Sequence, residues 1–292
     1  DLLQKYQKCH NRHMRYETIK TLKDEDFKRL TGVKRGIFEK MLAIMERDLR
    51  DFGRPPKLSR ADQLLLTLMY WREYRTEFHI GTTYGVSEAT VCRTIRKVEN
   101  VLMKSGEFRL PGRKALQPSD TLIEVVLIDA TEQPIERPKK SSVSTTVEEE
   151  ANTQKAQLIV NQNTQMILAT ACAPGRQHEF ALFKDSRCNV AQHICCLADA
   201  GYLGINNLHE NSQIPAKSSK LHPLTREQKA SNRKLSHHRI LIENVIRRLK
   251  VFRILSEDIE TAENDFHSGS ISSLQFATLN AHSKNDPLLQ EV

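Results

Sequence analysis

The sequence predicts two domains of different class: an all-helical domain over residues 1–110, then an α+β (α/β) domain with a mixed sheet over 119–256. A tail follows from 257 to 292. Three observations carry this prediction. The first hundred residues repeat apolar side chains at helical spacing between Gly and Pro breaks. The second part holds two short strand-like apolar runs, ending at Asp129 and Asp199. Asn232 to Leu255 contains neither Gly nor Pro and is long enough for a helix of several turns.

Taken in order, residues 1–50 read as short charged helices, with Asp24 to Asp26 capping the one that carries Phe27 and Leu30. Gly53-Arg54-Pro55-Pro56 is a break, after which Ser59 caps a helix buried through Leu64, Leu65, Leu68, Met69 and Trp71. Thr76 to Tyr84 leads into the turn Gly85-Val86-Ser87. The next helix, Ser87 to Leu102, buries Val91, Ile95, Val98 and Leu102 and exposes Thr90, Arg93, Thr94, Arg96 and Lys97. Over 59–102 this is a helix-turn-helix pattern, with basic and hydroxyl side chains of the kind that reach phosphates and base edges. Leu110-Pro111-Gly112 to Pro118 reads as a linker.

Beyond it, Leu122 to Ile128 is a buried strand that delivers Asp129 at its end. Gln157–Asn161 and Met166–Ala173 form a hairpin, Gly175 to Asp185 turns into a helix, and Cys195-Cys196-Leu197 is a short strand before Asp199. A basic loop from Ile214 to Pro223 enters the long helix. There Ile242, Val245, Leu249 and Phe252 make an apolar stripe, and Arg239, Glu243, Arg247 and Lys250 lie opposite.

Composition narrows the function. The net charge of +8 points to a polyanion partner, and nine Lys/Arg stand against two Glu between Arg226 and Arg253. From Ser256 onward one Lys stands against seven Asp/Glu. The six cysteines form no CxxC pair, and His178, Cys188, His193 and Cys195 lack zinc-like spacing. Reduced thiols in an intracellular, cytoplasmic (nucleoid-associated) protein are expected. The longest apolar stretch, near Leu64 to Trp71, is about half of what a membrane span needs.

If the two strands are neighbours, Asp129 and Asp199 converge and the long helix aims Glu243 at them. Three carboxylates around one point repel, and hard oxygen ligands select Mg²⁺ or Mn²⁺ to relieve that. Two such ions stabilise the attacking and leaving oxygens of a phosphoryl displacement.

The motifs VVLIDATEQPIERP, PGRQHEFALF, LADAGYLGI and RILIENVIRRLKVFRIL occur in this order. Together the chain resembles the Asp-Asp-Glu (DDE) transposases of bacterial insertion sequences and their Harbinger-like relatives. The spacing Arg, three residues, Glu, six residues, Lys is met by Arg239, Glu243 and Lys250. The resemblance implies a ribonuclease-H-like second domain in which Asp129, Asp199 and Glu243 bind two catalytic Mg²⁺ or Mn²⁺ ions, supported by His178 and Tyr202. It implies DNA contacts from Thr90, Arg93, Arg96 and Lys97 in the first domain and from Arg239, Arg247 and Lys250 in the second. The expected partners are double-stranded DNA, both element ends and target, with a homodimer on DNA. The implied reaction nicks element ends and transfers the freed 3′-hydroxyl to target DNA.

The chain departs from the family in places. Ser236 stands where some groups have Tyr, and Glu179 follows His178 where Asp is usual. Lys139 to Thr153 lacks the family's basic Tyr-Tyr-Ser-Gly segment, and the tail after Ser256 lacks its closing basic and apolar helix. With suitable codons, reading both stretches from the third base recovers family-like sequence. A transposase gene with two frameshifted segments is therefore expected, its product inactive or kept as a DNA-binding relic or host-used DNA binder. On that reading 140–153 is an irregular excursion and 257–292 a poorly packed tail.

Overall fold

The computed structural model describes residues 13–50, 53, 55–108, 110–118, 123–134, 153–220 and 223–256. The expectations for 140–152 and for 257–292 lie outside the described residues. The chain divides into two compact units: Asp1–Phe108 with Val251–Ile254, and Arg109–Lys250 with Leu255–Val292.

The first unit is helical: α1 Tyr16–Ile19, α2 Asp24–Thr31, α3 Arg35–Asp48, α4 Arg60–Glu73, α5 Glu77–Tyr84 and α6 Glu88–Lys104. Its core is Phe27, Phe38, Met41, Met45, Leu64, Leu65, Trp71, Tyr84 and Phe108, all buried. Ser59 caps α4 by accepting the Asp62 N–H, and Thr76 caps α5 by accepting that of His79. Asp24 to Asp26 do not cap α2. They are its first turn, and Lys23 is the capping residue without a side-chain bond. Three acids at the positive end of a helix still lower its energy, through the dipole.

The second unit holds a five-stranded sheet of order β3-β2-β1-β4-β5. Its strands are β1 Val125–Pro134, β2 Thr153–Asn161, β3 Ile167–Pro174, β4 Cys195–Ala198 and β5 Ser212–Gln213. β1, β2 and β3 pair antiparallel, whereas β4 lies parallel to β1 and β5 parallel to β4. An antiparallel meander extended by parallel strands on the β1 side is the ribonuclease-H-like arrangement. Helix α7, Glu179–Asp185, belongs to one face, with Val126, Ile128, Ile159, Phe183, Cys196, Ala198 and Tyr202 in a single core. The alternate residues Leu127, Leu158, Val160 and Leu197 are buried on the other face, where α8, Arg226–Leu249, packs on β1 and β4.

The supposed linker is part of this core. Gly112 N–H donates to Leu168 O at 2.8 Å, and Leu116, in a 3₁₀ turn over Arg113–Leu116, is buried in the α7-side core. Helix α8 also differs from the expectation at both ends. It starts at Arg226 in a capping box formed by Thr225 and Gln228, and it stops at Leu249. Phe252 is therefore not on its stripe. It is buried in the first unit, its ring edge within 2.5 Å of where a Cβ on Gly32 would lie.

Candidate functional site

The site begins with strand register. The parallel ladder of β1 and β4 runs from Val125↔Cys195 to Ile128↔Ala198. Asp129 and Asp199 are the next residue on each strand, so the same register step presents both carboxylates. Asp129 is not at the end of its strand: β1 continues to Pro134, paired with β2. What ends at Asp129 is the partnership with β4. On that side β4 gives way to a 3₁₀ turn whose capping residue, Asp199, accepts the Gly201 N–H on Oδ1 at 2.8 Å.

Asp129 is 8% exposed. Burial pushes its carboxyl up from the ordinary carboxylate range; the Ala130 N–H and Arg239 oppose this, and Asp199 and Glu243 add to it. Arg239 enters from α8 and spans the pair, its Nη2 lying 3.6 Å from Asp129 Oδ2 and 3.9 Å from Asp199 Oδ2. Its Nε is buried without a hydrogen-bond partner among the described residues. The charged row of α8 is thus not opposite its apolar stripe. It flanks that stripe, which is how Arg239 reaches the carboxylates while Glu243 and Lys250 stay exposed.

Glu243 acts on Asp129 through its charge but does not close a triad. Among the described residues, no three His, Cys, Asp or Glu side chains stand close enough to hold a metal ion. The carboxyl in contact with Asp199 is that of Glu179, at the start of α7. Burial first, then the charge of Asp199 and a hydrogen bond to it, pushes Glu179 up to about 7. Gly201 makes the approach possible, because a Cβ there would overlap Glu179 Oε2. The sequence holds a signal for this in the acid after His178, but only the turn at Gly201 says what the acid meets. In kind, the donor set fits a hard divalent cation: two carboxylates at one register step, already bridged by a cation, with Glu179 and Glu243 around them.

Of the supporting residues, His178 is exposed at the α7 N-cap and makes no side-chain capping bond. Tyr202 is fully buried, packs edge-on against Phe183 at 6.3 Å and donates to Gln157 Oε1 at 3.4 Å. It belongs to the core on the α7 face of the sheet. Arg247 is exposed and donates to Asn244 Oδ1 at 2.7 Å.

In the first unit α5, the turn and α6 form the expected helix-turn-helix. Val86 N–H donates to Gly81 O at 2.9 Å, and a Cβ on Gly81 would sit 2.7 Å from Val86 O, so only glycine permits this turn. Arg93 and Arg96 are exposed on α6, with Thr90 and Lys97 half-buried. Thr94, expected outside, is buried at 7%, its hydroxyl donating to Thr90 O at 2.7 Å. A threonine that bonds its own helix backbone can be buried at little cost. Ser87 holds the N-cap position, with its hydroxyl 2.9 Å from that of Thr90.

Among the described residues no helix is long and apolar enough to cross a membrane. Comparison with known proteins gives two family matches: "DDE superfamily endonuclease" over residues 128–273, and "Helix-turn-helix of DDE superfamily endonuclease" over 56–108. The chain is 42% identical over 257 residues to the "Probable transposase for insertion sequence element IS702" of Microchaete diplosiphon, covering 87% of this chain and 93% of that protein. Among solved structures it is similar to a pre-cleavage Mos1 transpososome, at 13% identity and a TM-score of 0.23 over 81% of this chain and 82% of that one. A Mos1 mariner paired-end complex with Mn is similar at 14% identity and a TM-score of 0.20, over 85% and 87%. Those scores are too low to bear on the fold, whereas the family matches and the 42% relative decide the matter. The chain belongs to the insertion-sequence transposases of the DDE superfamily of endonucleases.

Proposed function

We propose that this transposase lineage cuts DNA at the ends of its element and joins the freed 3′-hydroxyl to target DNA, using divalent metal ions held by Asp129, Asp199 and Glu243. The observation that carries the reading is the register step that sets Asp129 beside Asp199, with Arg239 spanning them. Bound Mg²⁺ or Mn²⁺, two ions in the active form, would supply Lewis-acid stabilisation of the attacking and leaving oxygens. The chain's own residues do the rest. Asp129 and Asp199 anchor the donor set on a rigid strand pair, and Glu243 would complete it from α8 once metal is bound. Arg239, Arg247 and Lys250 hold the phosphates that flank the scissile one. Tyr202 supports the strands that carry the carboxylates from the core on the α7 face. Thr90, Arg93, Arg96 and Lys97 of α6 contact the element ends, which a homodimer would hold as a pair.

A second reading, a DNA-binding relic without catalysis, is favoured by the sequence of two segments. Three glutamates, Glu148 to Glu150, stand where the family has a basic segment, and seven acids follow Ser256. Both features put negative charge where the family has positive charge, which disfavours phosphate. The chain as written is then inactive or nearly so, although its three acids remain. A nicking assay with Mn²⁺ on element-end DNA separates the readings, with the protein as written tested beside one with both frames restored. Activity in the restored protein alone supports decay, and equal activity in both refutes it. Within the active protein, Glu243→Gln is expected to abolish nicking and leave end binding unchanged; retained nicking refutes the metal assignment.

A further inference from the structure

Helix α8 brings two side chains of opposite charge toward the aspartate pair. Its buried residues are Leu235, Ile242, Val245 and Leu249, while its leading turns from Arg226 to Lys234 bury nothing. The helix is therefore fixed against the sheet on either side of Arg239 and Glu243. These two stand one turn apart, at i and i+4, so both can be directed at the same point. Only Arg239 is there. Glu243 is exposed, although its charge reaches Asp129.

The two aspartates are held alike. Asp129 Oδ1 accepts the Ala130 N–H and Asp199 Oδ1 accepts the Gly201 N–H, each at 2.8 Å. That leaves the Oδ2 atoms, and Arg239 Nη2 faces both, at 3.6 Å from Asp129 and 3.9 Å from Asp199. Both distances are longer than a hydrogen bond, so the guanidinium acts as a counter-charge and not as a clamp. Two carboxylates this close repel, and a cation between them offsets that. The seat is a poor one for Arg239 itself. Its Nε is buried without a hydrogen-bond partner among the described residues, and an unpaired buried donor costs free energy.

We propose that Arg239 is the resident counter-cation of this site and competes with divalent metal for the Oδ2 atoms of Asp129 and Asp199, leaving before Glu243 can join them. In its seat Arg239 keeps the aspartate pair together against its own repulsion. At equal distance a doubly charged ion is attracted to the pair twice as strongly as the guanidinium. Arg239 thus sets the threshold at which the site loads, and its departure and the approach of Glu243 are two halves of one exchange on a fixed helix. The proposal rests on the assignment of divalent cations to this site.

The test measures Mn²⁺ binding to the full chain by electron paramagnetic resonance, without DNA. Arg239→Gln is expected to tighten binding by about tenfold, inside the range of about 5–150-fold usual for coupled ligands. Lys229→Gln removes the same charge from the exposed leading turns of α8 and should bind as the parent does. Asp129→Asn should weaken binding in the same assay. A second measurement uses the parent alone, so it stands even if Arg239→Gln fails to fold. The Arg239 Nε–H signal in NMR should be protected from solvent exchange and lose that protection as Mg²⁺ is added. Unchanged or weaker Mn²⁺ binding by a folded Arg239→Gln, or an Nε–H still protected at saturating Mg²⁺, overturns the proposal. Equal tightening by Arg239→Gln and Lys229→Gln also overturns it, as an effect of net charge. A parent that binds no Mn²⁺, or an Asp129→Asn variant that binds it as well as the parent, refutes the metal assignment itself, a result distinct from either.

Discussion

The two units present function in different ways. In the helical unit the proposed DNA-binding surface is one face of α6, and every residue on it lies within a few turns of its neighbours. In the sheet unit the proposed site residues lie far apart in sequence, at 129, 179, 199, 239 and 243. Asp129, Asp199 and Arg239 meet only because β4 adds parallel to β1 in a particular register and α8 packs on both strands. A surface made by helical periodicity survives local substitution and shows up as graded affinity. A centre made by strand register is all-or-none, since each member depends on the placement of the others.

The largest effect should therefore come from the sheet unit. In an active, frame-restored protein, Asp199→Asn should lower the nicking rate by about three powers of ten, because metal charge stabilisation is worth several kcal/mol and each 1.36 kcal/mol is tenfold. Duplex affinity measured alongside should not move. A loss under tenfold would place the chemistry elsewhere.

For stability the largest effect belongs to the helical unit. Trp71 is 1% exposed and donates through Nε1 to Glu99 Oε1 at 3.0 Å. Trp71→Ala should destabilise this unit by about 3–5 kcal/mol in denaturant unfolding. An intermediate in which the helical unit has unfolded first is expected, and a single shared transition would mean that the two units unfold together.

Gly201→Ala sharpens the contrast from the other side. Its new Cβ meets Glu179 Oε2, so it should cost about 1–3 kcal/mol as overpacking. Adding Glu179→Ala should recover most of that loss, and a double variant no more stable than Gly201→Ala would show that Glu179 is not what the glycine admits. On α6, Arg93→Ala, Arg96→Ala and Lys97→Ala together should flatten the salt dependence of end binding by about 2–3 in slope. An unchanged slope would turn this face toward solvent or a protein partner.

The smallest expected effect is on pH. Glu179 is pushed up to about 7 from an ordinary 4.5. The folded state keeps this proton after the unfolded state has released it, so the contribution to stability is full below about 4.5 and is lost as pH rises through about 7. Asp129, also raised, acts in the same direction. Glu179→Gln should flatten the fall in Tm across that window, which a pH series of thermal melts would read directly.

Local periodicity and capping were enough to place α4 to α6, the hairpin of β2 and β3, and the body of α8, because each depends on neighbours within a few residues. The order of motifs was enough to name Asp129 and Asp199, which register then sets side by side. What escaped the sequence depended on distant partners. Phe252 continues the α8 stripe by spacing but packs in the helical unit, and Leu116 looks like linker yet lies in the sheet core. Thr94 reads as polar until its hydroxyl is seen bonded to its own helix. Glu179 reads only as an exchange for the usual Asp after His178 until the notch at Gly201 brings it to Asp199. The sequence by itself determined which segments are helix or strand and which residue types could do phosphoryl chemistry, because those follow from short-range sterics and side-chain chemistry. Only the tertiary structure decided which carboxylates touch, that Arg239 lies between them and that the leading turns of α8 are bare, because these depend on strand register and the rotation of a helix against a sheet.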